Sequence, residues 1–451
     1  MDLAELHSPL TGLDDLFGLS LRKRLFVTTT LSNLVQLHGY EQIEVPLVER
    51  ATSFSEEVVG RSPWPEWDER GCFYLSIPDY MGSYDSSPRS TEALLIPEGT
   101  ISVTRWLGRM LSEQPAMTFP VKLFYETPCF RNELIDTLDV RKKRQFTQFG
   151  PEVLGAPPGN ADIEAIYLIA ACLESLGVDR SGIRVRVGDV AIFNRLVIGS
   201  GINPDSAIAL KEALDGIAEC KAGKRPERMP QLVECVEDLL GRAKVAAPWR
   251  EKWLRLVRGL DSTDPLADVD DEVVQHHLTN LRTLVGILAL LGVAIDLDLC
   301  VVRSHEYYTG ISFEIDVRQA GQVFVEVGGG GRYDKLVGHF IADLAAPPVP
   351  ATGFAFGVER LVGLLESLDL LGVEQSATRT VSLARSSADV LIVPPTTPDG
   401  YVCAARMADD LRSTGQTADI FVGDLRDGWQ EYATARQLQN VRILPETENN
   451  R

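Results

Sequence analysis

One short stretch of the sequence concentrates ionisable side chains between two predicted strands. In VVRSHEYYTGISFEI, residues 301–315, Arg303 precedes the pair Tyr307 and Tyr308 by four and five positions. The apolar IDLDLCVV before the junction and the alternating ISFEIDV after it are both typical of strands. A guanidinium, two phenols, a histidine and a glutamate therefore meet at one strand–loop–strand junction, which makes it a candidate functional site.

A second group of polar side chains lies on another pair of predicted strands, VKLFYETPCF (121–130) and RQFTQFGPEVL (144–154), joined by a basic loop. The group comprises Arg131, Glu133, Arg144, Gln148 and Glu152. The last three are spaced by even numbers, so on a strand they share one face. An arginine, an amide and a carboxylate on one face suit the binding of a zwitterion. The alternative is an exposed charged hairpin.

Two glycine-containing segments add cationic groups. The run GGGGRYDK (328–335) lacks the Lys-Ser/Thr ending of a P-loop and the spacing of a dinucleotide-binding fingerprint. It predicts either a tight crossing of two chain segments or a ligand that approaches the backbone near Arg332 and Tyr333. Arg360, in FGVERL, falls in the first turn of a predicted helix, where the helix dipole favours anions. It indicates an anionic partner such as phosphate, or a surface salt bridge.

The composition of the whole chain limits the possible classes of function. Its 451 residues exceed one average core, so two or three domains are expected. The net charge of −20 disfavours broad contact with nucleic acid or an anionic membrane, although a locally basic cleft can still hold a phosphate-bearing ligand. Seven scattered cysteines, without CxxC or Cys/His ligand spacing, predict neither structural zinc nor a disulfide framework.

The sequence contains no predicted export or membrane segment. The start, MDLAELHSPL, lacks a basic stretch followed by an apolar one. The longest apolar run, LVGILALLGVAI (284–295), is too short to span a bilayer and ends in Gly-Val, as a buried helix does. These features predict a cytoplasmic protein without membrane contact.

The candidate segments are embedded in predicted helices and strands. Helices are predicted at 21–40 and 159–180, and helical periodicity continues for about a hundred residues after the strand IRVRVG. Pro46 interrupts the strand-like EQIEVPLVE, which favours a bend or a sheet edge, and residues 62–91 are typical of a long, partly ordered loop. After a polar linker at 373–388, the segments ADVLIVPP, CAARMADDLRSTG and TADIFVG predict a small β-α-β unit.

The order of these segments resembles the histidyl-tRNA synthetase family of class II aminoacyl-tRNA synthetases. The matching segments are IPEGT, FRNE…RQFTQFGPE, RSHEYYTG, GGGGRYD and GFAFGVERL. The arginine before Tyr-Tyr and the GGRYD core mark the histidine branch. The resemblance covers residues 12–370 and implies an α+β fold: an antiparallel-sheet catalytic domain with a helical insertion at 195–297. Residues 388–451 resemble a shortened α/β anticodon-binding domain.

The resemblance also implies roles for individual residues. Arg303 stands where other class II enzymes use a metal, and with Arg131 it is implied to act catalytically on charge at the α-phosphate of ATP. The residues implied to bind ATP, which enters with Mg²⁺, are Arg131, Glu133, Arg144 and Arg360. The residues implied to bind the amino acid are Glu98, Thr100, Gln148, Glu152, Tyr307, Tyr308 and Tyr333. Among these, Tyr308 and Glu152 are implied to hold the two imidazole nitrogens, and no protein-bound metal is implied.

The sequence departs from the family pattern at four places. Ile96 replaces an arginine before the proline, and residues 304–306, Ser-His-Glu, replace Gly-Leu-Asp before the tyrosines. The loop from 132 to 143 is longer than usual, and the C-terminal unit is shorter. Residues 388–451 carry six arginines, no lysine and ten acidic side chains, so the unit expected to read an anticodon is net negative. Because RNA affinity depends on Lys and Arg, weak tRNA binding is expected.

Three functions follow from the resemblance. The first is ATP-dependent activation of histidine, or a close analogue, to the aminoacyl-adenylate, with transfer to the histidine tRNA as in a histidine–tRNA ligase. The second is a paralogue that passes the acyl group to a different acceptor. The third is a non-catalytic regulatory subunit of ATP phosphoribosyltransferase. A homodimer is expected, because the helix at 21–40 and the strand at Pro46 resemble the family's two-fold interface.

Overall fold

The computed structural model of the protein describes residues 7–61, 70–79, 89–114, 116–132, 143–259, 266–303, 307–343, 347–371, 388–424, 428–436 and 438–445. The strands are β1 (Glu41–Gln42), β2 (Val48–Arg50), β3 (Phe73–Asp79), β4 (Arg89–Leu95), β5 (Val121–Phe130), β6 (Gln145–Leu154), β7 (Ile183–Asp189), β8 (Ile295–Leu297), β9 (Ile311–Gln319), β10 (Gln322–Arg332), β11 (Ala351–Gly357), β12 (Val390–Val393), β13 (Ala418–Ile420) and β14 (Val441–Ile443). The helices are α1 (Leu19–Leu37), α2 (Glu56–Val59), α3 (Thr100–Glu113), α4 (Asn160–Ser175), α5 (Val190–Ser200), α6 (Pro204–Ala222), α7 (Met229–Arg242), α8 (Ala247–Arg258), α9 (Glu272–Leu290), α10 (Val358–Ser367), α11 (Gly400–Ser413) and α12 (Trp429–Ala435).

The centre of the fold is an eight-stranded sheet in the order β1-β5-β6-β11-β10-β9-β7-β8. The five inner pairings are antiparallel, and only the pairings of the two edge strands, β1 with β5 and β8 with β7, are parallel. The predicted antiparallel sheet and the mixed α+β class are therefore confirmed.

The two faces of this sheet differ in what covers them. Strand β5 illustrates the difference, because its side chains alternate between the faces. Phe124 joins a large apolar core with α1, α4 and α10, whereas Leu123 and Tyr125 join a second cluster with α3 and three further tyrosines. The first face is closed by aliphatic packing. The second face combines apolar contacts with hydroxyl groups, so it can host polar chemistry.

A helical segment, residues 190–290, lies in sequence between β7 and the edge strand β8. It contains α5 to α9, as the helical periodicity predicts. Three of these helices begin at side chains that accept a bond from a free backbone N–H: Asp189 for α5, Asn203 for α6 and Asp271 for α9. Left-handed glycines, Gly201 and Gly223, end the first two of these helices.

The structure differs from the sequence-based expectation in residues 62–91. Strands β3 and β4 pair in antiparallel register and, with β2, form a three-stranded sheet in the order β2-β4-β3. Pro78 is tolerated because β3 is the edge strand of this small sheet. Residues 62–69 and 80–88, also part of the expected loop, lie outside the described residues.

The C-terminal unit is a three-stranded parallel sheet, β13-β12-β14, with helices α11 and α12. It is joined to the large sheet through a buried charged cluster. The Lys122 ammonium, on β5, donates to Asp419 Oδ1 at 2.5 Å, to Glu164 Oε1 at 3.2 Å and to the Ile420 carbonyl at 3.0 Å. The side chains of Lys122, Glu164 and Asp419 are all fully buried. The unit is therefore an integral part of the packed core.

This cluster generates a stability prediction. We expect Asp419→Ala to lower the free energy of unfolding by about 3 kcal/mol, because it removes a partner from a fully buried lysine. The measurement is urea denaturation followed by circular dichroism. Asp410→Ala, which changes an exposed carboxylate on α11, is the matched control and should have little effect. Equal stability of the two variants would show that Lys122 does not depend on the C-terminal unit.

Candidate active site

The second face of the sheet gathers the residues predicted to bind an amino acid. Glu98 and Thr100 lie at the start of α3, Gln148 and Glu152 lie on β6, and Tyr333 follows β10. Strand β6 places Gln148 and Glu152 on the same side because they are four residues apart. All seven predicted residues, including Tyr307 and Tyr308, are buried here and are joined by hydrogen bonds or ring contacts.

Glu152 is the most deeply buried carboxyl group of the site, with 1% exposure. Its Oε1 accepts a hydrogen bond from the Thr100 hydroxyl at 2.8 Å, and its Oε2 accepts one from the Tyr333 hydroxyl. In the described part of the chain no basic side chain forms a salt bridge with it. Burial raises the pKa of Glu152 to about 8, and the two hydroxyl groups only partly offset this effect. The described part of the protein therefore supplies no cation to balance an ionised Glu152 carboxylate.

The backbone next to Glu152 is shaped to accommodate it. Gly353, on β11, pairs directly with Glu152 across the sheet. A Cβ atom at position 353 would lie 1.6 Å from Oε2 of Glu152. Glycine is thus required at this position because the carboxylate lies against the neighbouring strand.

Tyr125 is a site residue that the sequence analysis missed. Its hydroxyl lies 3.1 Å from Oε1 of Gln148 and 3.2 Å from the Thr100 hydroxyl, and the side chain is fully buried. Gly99 and Gly150 flank its ring so closely that a Cβ at either position would lie within 2.4 Å of it. The alternation along VKLFYETPCF, which puts Tyr125 and Thr127 on one face, was the signal that could have identified it.

The pair Tyr307 and Tyr308, which precedes β9, lines another side of the site. The Tyr307 hydroxyl donates to the two carboxylate oxygens of Glu98 at 3.0 and 3.2 Å. The Tyr307 ring lies 4.9 Å from the Tyr308 ring and 6.0 Å from the Tyr333 ring, between ring centroids. Burial raises the pKa of Tyr308 to about 12, so the phenols stay protonated and can donate hydrogen bonds near neutral pH.

Arg303 lies beside this pocket in a strained backbone conformation. Its φ of 44° is in the left-handed region, which non-glycine residues rarely adopt. One terminal nitrogen, Nη1, lies 3.4 Å from the Phe313 carbonyl and 3.8 Å from the Glu314 carboxylate. Its buried Nε has no hydrogen-bond partner in the described residues. The guanidinium therefore retains donors for an anionic ligand.

The four-glycine run lies within a strand. Gly328 to Gly331 belong to β10 and pair with strands on both sides. A Cβ at position 329 would lie 1.8 Å from Nη1 of Arg303, and one at position 331 would lie 2.9 Å from the Tyr308 ring. The glycines thus make a flat floor on which side chains of the site lie.

The arginines of the two glycine-containing segments, Arg332 and Arg360, differ in their surroundings. Arg332 is buried and paired with Asp162 at 2.8 Å and with Asp334 at 2.9 Å, so it holds the fold and does not face a ligand. Arg360, in the first turn of α10 as predicted, is exposed and donates to the Glu326 carbonyl at 2.7 Å.

The remaining predicted nucleotide contacts lie at the ends of β5 and β6. The Arg131 guanidinium lies over the Phe146 ring at 5.3 Å, and its Nε donates to the Pro97 carbonyl at 3.1 Å. This places Arg131 beside the turn that carries Glu98. Arg144 precedes β6, and its Nη1 donates to the Thr11 carbonyl at 3.2 Å. Glu133 and residues 304–306 lie outside the described residues.

The described residues also bear on metal binding, disulfide formation and membrane contact. No cluster of three or more His, Cys, Asp or Glu side chains suits a metal ion there. All seven cysteines are free, and five of them are buried. Within the same part of the chain, every helix is too short or too polar to cross a membrane.

With the fold and the geometry of the site described, comparison with known proteins gives the family. The histidyl-tRNA synthetase family profile matches residues 95–361, more than half of the chain. The chain belongs to the histidyl-tRNA synthetase family.

Two kinds of relative share similar sequence identity with the chain. One is the ATP phosphoribosyltransferase regulatory subunit of Symbiobacterium thermophilum, 29% identical over 93% of this chain and 91% of the relative. Another is the histidine–tRNA ligase of Brucella ovis, 28% identical over 87% of this chain and 76% of the relative. Sequence identity alone therefore does not separate a ligase from a regulatory subunit.

Solved structures show the same fold. A structure from Bacillus halodurans C described as an ATP phosphoribosyltransferase regulatory subunit/histidyl-tRNA synthetase has a TM-score of 0.59, with 20% identity and 97% coverage of both chains. Histidyl-tRNA synthetase from Nostoc sp. PCC 7120 has a TM-score of 0.58, with 18% identity, 96% coverage of this chain and 90% of that one.

The burial of Glu152 generates a pH prediction for the unliganded protein. The folded-state pKa of about 8 exceeds the ordinary value of 4.5, so the folded state keeps a proton that the unfolded state loses. The contribution of Glu152 to stability is therefore present below pH 4.5 and lost as the pH rises through 8. We expect the unfolding free energy of the parent, relative to Glu152→Gln, to fall by about 1 kcal/mol per pH unit between pH 5 and 8.

Urea denaturation of both proteins at pH 5, 6.5 and 8 checks this expectation. The comparison with Glu152→Gln isolates one carboxyl group, because every other titrating side chain is common to the two proteins. A difference that stays constant with pH would show that Glu152 is ionised throughout this range.

Proposed function

We propose that the protein binds histidine, or a close analogue of it, and joins it to ATP as the aminoacyl-adenylate. The observation that carries the proposal is the buried Glu152 carboxyl group, whose partners in the described residues are the hydroxyls of Thr100 and Tyr333. A buried carboxyl group without a cation is costly unless a ligand supplies an N–H or a positive charge. An imidazole N–H meets that need, and we assign the Tyr308 hydroxyl to the second ring nitrogen.

The same arrangement favours imidazole over aliphatic side chains. A pocket that hydrogen-bonds a ligand's ring nitrogens leaves its own buried groups unpaired when an aliphatic analogue enters. Discrimination of roughly 10⁴-fold is typical of such pockets. Glu98, Thr100 and Gln148 line the same space, and we assign to them the amino group and carboxylate of the ligand.

The proposed reaction has a definite course. A carboxylate oxygen of the amino acid attacks the α-phosphorus of ATP and forms the mixed anhydride, while the bond to the β,γ-diphosphate breaks and pyrophosphate leaves. Negative charge increases on the α-phosphate oxygens during the attack, and Arg131 and Arg303 are the cations we assign to stabilise it. Mg²⁺ enters with ATP as part of the substrate, and Arg360 is assigned to the nucleotide.

We propose tRNA as the acyl acceptor, as the name of the Brucella ovis relative suggests. The C-terminal unit is net negative, since residues 388–451 contain six arginines, no lysine and ten acidic side chains. Binding to tRNA should therefore fall only gently as salt is raised, because the slope follows the number of phosphates contacted. A different acyl acceptor would account for the same composition.

A regulatory role is the second candidate function. The observation in its favour is the likeness to the Symbiobacterium thermophilum regulatory subunit over nearly the whole length of both chains. Such a protein would use the same pocket to bind an amino acid without chemistry.

We further propose that the protein is a cytoplasmic homodimer. Its seven free cysteines suit a reducing compartment. Apolar side chains at Leu25 on α1, Val48 on β2 and Ile77 on β3 are each about two-fifths exposed or more. Helix α1 and the strand region around Pro46, which includes β2, are the segments expected to form the two-fold interface, and sedimentation at micromolar concentration measures the association.

Two measurements separate the candidate functions. Calorimetry with histidine tests the pocket, and exchange of labelled pyrophosphate into ATP with histidine tests the chemistry. Binding together with exchange supports adenylate formation, and binding without exchange supports the regulatory role. Tighter binding of leucine than of histidine would contradict the pocket assignment. Adding tRNA and detecting acylated product then tests the acceptor.

Arg303 provides the sharpest test of the mechanism. We expect Arg303→Ala to reduce kcat for pyrophosphate exchange by about 100-fold or more, with changes of only a few-fold in KM for ATP and histidine. A group that acts on transition-state charge affects rate more than ground-state binding. The matched control is Arg318→Ala, an exposed arginine on the same strand as Glu314. Unchanged exchange in Arg303→Ala would remove Arg303 from the mechanism.

A further inference from the structure

Strand β10 contains an irregularity just before the glycine floor. Its register with β9 is regular up to Phe324 opposite Val317 and resumes at Gly328 opposite Ile315. Three residues, 325–327, therefore face the single residue Asp316, which makes a β-bulge. Within it Glu326 has a φ of 55°, a left-handed conformation for a residue other than glycine.

Every polar group of Glu326 has a partner. Its N–H donates to Asp316 Oδ1 at 2.9 Å, which replaces the ladder bond lost at the bulge. Its carboxylate accepts from the Lys224 ammonium at 2.9 Å. Its carbonyl accepts from Nη1 of Arg360 at 2.7 Å. A strained backbone conformation persists only where surrounding contacts fix it, and these three contacts fix the conformation of Glu326.

The contacts connect the bulge to helix α6. Lys224 follows directly on Gly223, the left-handed residue that ends this helix. Asp316 is held by Arg186 at 2.7 Å, and Arg186 also donates to the Ala218 carbonyl on α6 at 3.1 Å. The end of α6 is therefore linked to Glu326 in two ways. Lys224 binds the Glu326 carboxylate, and Arg186 connects the Ala218 carbonyl to Asp316, which accepts the Glu326 N–H.

This arrangement explains why a cation can lie in the first turn of α10. The positive end of the helix dipole disfavours an arginine there, while the Glu326 carbonyl supplies partial negative charge and a fixed direction. Without it the exposed side chain of Arg360 would be free to adopt many rotamers. Three residues further along β10, Gly329 makes room for Arg303, so both arginines depend on the same strand.

We propose that Lys224 is a positioning residue for nucleotide binding, acting through the Glu326 bulge on Arg360. The inference rests on the proposed function in so far as Arg360 contacts the nucleotide. The helical segment 190–290 then does more than fill space beside the sheet, because the end of α6 sets the position of a ligand-binding side chain.

The test is a double-mutant cycle on the full chain, read out by the dissociation constant of mant-ATP in the presence of Mg²⁺. Lys224→Met should weaken binding about 5-fold in the parent and have no effect in an Arg360→Met background, because the coupling passes through Arg360. Lys224→Arg should restore most of the affinity, since it keeps the charge opposite Glu326. Arg258→Met, which breaks a comparably exposed ion pair with Glu237 in the same helical segment, is the matched control and should bind as the parent does.

Thermal denaturation of each variant separates positioning from loss of folding. Lys224 is partly exposed, so its replacement should leave the melting temperature nearly unchanged. Equal weakening by Lys224→Met with and without Arg360 would overturn the inference, as would unchanged affinity in the single variant. A parent that binds no nucleotide would also overturn it. A parent that binds mant-ATP but exchanges no pyrophosphate would overturn only the proposed chemistry.

Discussion

The carboxyl group of Glu152 is withdrawn from water on an inner strand of the sheet, and the neighbouring residues are determined by what such a group requires. It needs donors, which Thr100 and Tyr333 supply, and it needs space, which Gly353 provides on the next strand. What the described protein does not provide is a compensating cation. A site of this kind is incomplete on its own, because the free-energy cost of the buried carboxyl group falls when a ligand donates to it.

The same principle applies to the cations of the site. Arg303 lies on a glycine floor with a buried Nε that has no partner in the described residues, and Arg360 is held by a single backbone carbonyl. Arg186 and Arg332, in contrast, are each bound by two carboxylates and serve the fold. The number of partners thus separates arginines that hold the structure together from arginines that retain donors for a ligand.

The sequence was informative where the pattern is local. Strands β5 and β6 lie within one residue of their predicted bounds, because alternation along a strand reports which side is buried. It was less informative where the partner is distant in sequence. The sequence does not show that Gly329 makes room for the Arg303 side chain. It also does not show that the Tyr125 hydroxyl lies within hydrogen-bond distance of Gln148. The sequence also did not predict the salt bridge of Arg332 with Asp162, since the two residues are 170 positions apart.

The charged cluster around Lys122 also determines when the chain can finish folding. Asp419 follows Lys122 by 297 positions, so the strand that lines the site cannot gain this partner until the C-terminal unit has left the ribosome. Until then a lysine destined for the interior has only Glu164 to neutralise it. The apolar core that β12 and α11 share with α1 and α4 also remains incomplete until the C-terminal unit is available. Contacts so distant along the chain slow folding and prolong the exposure of apolar surface on the nascent protein.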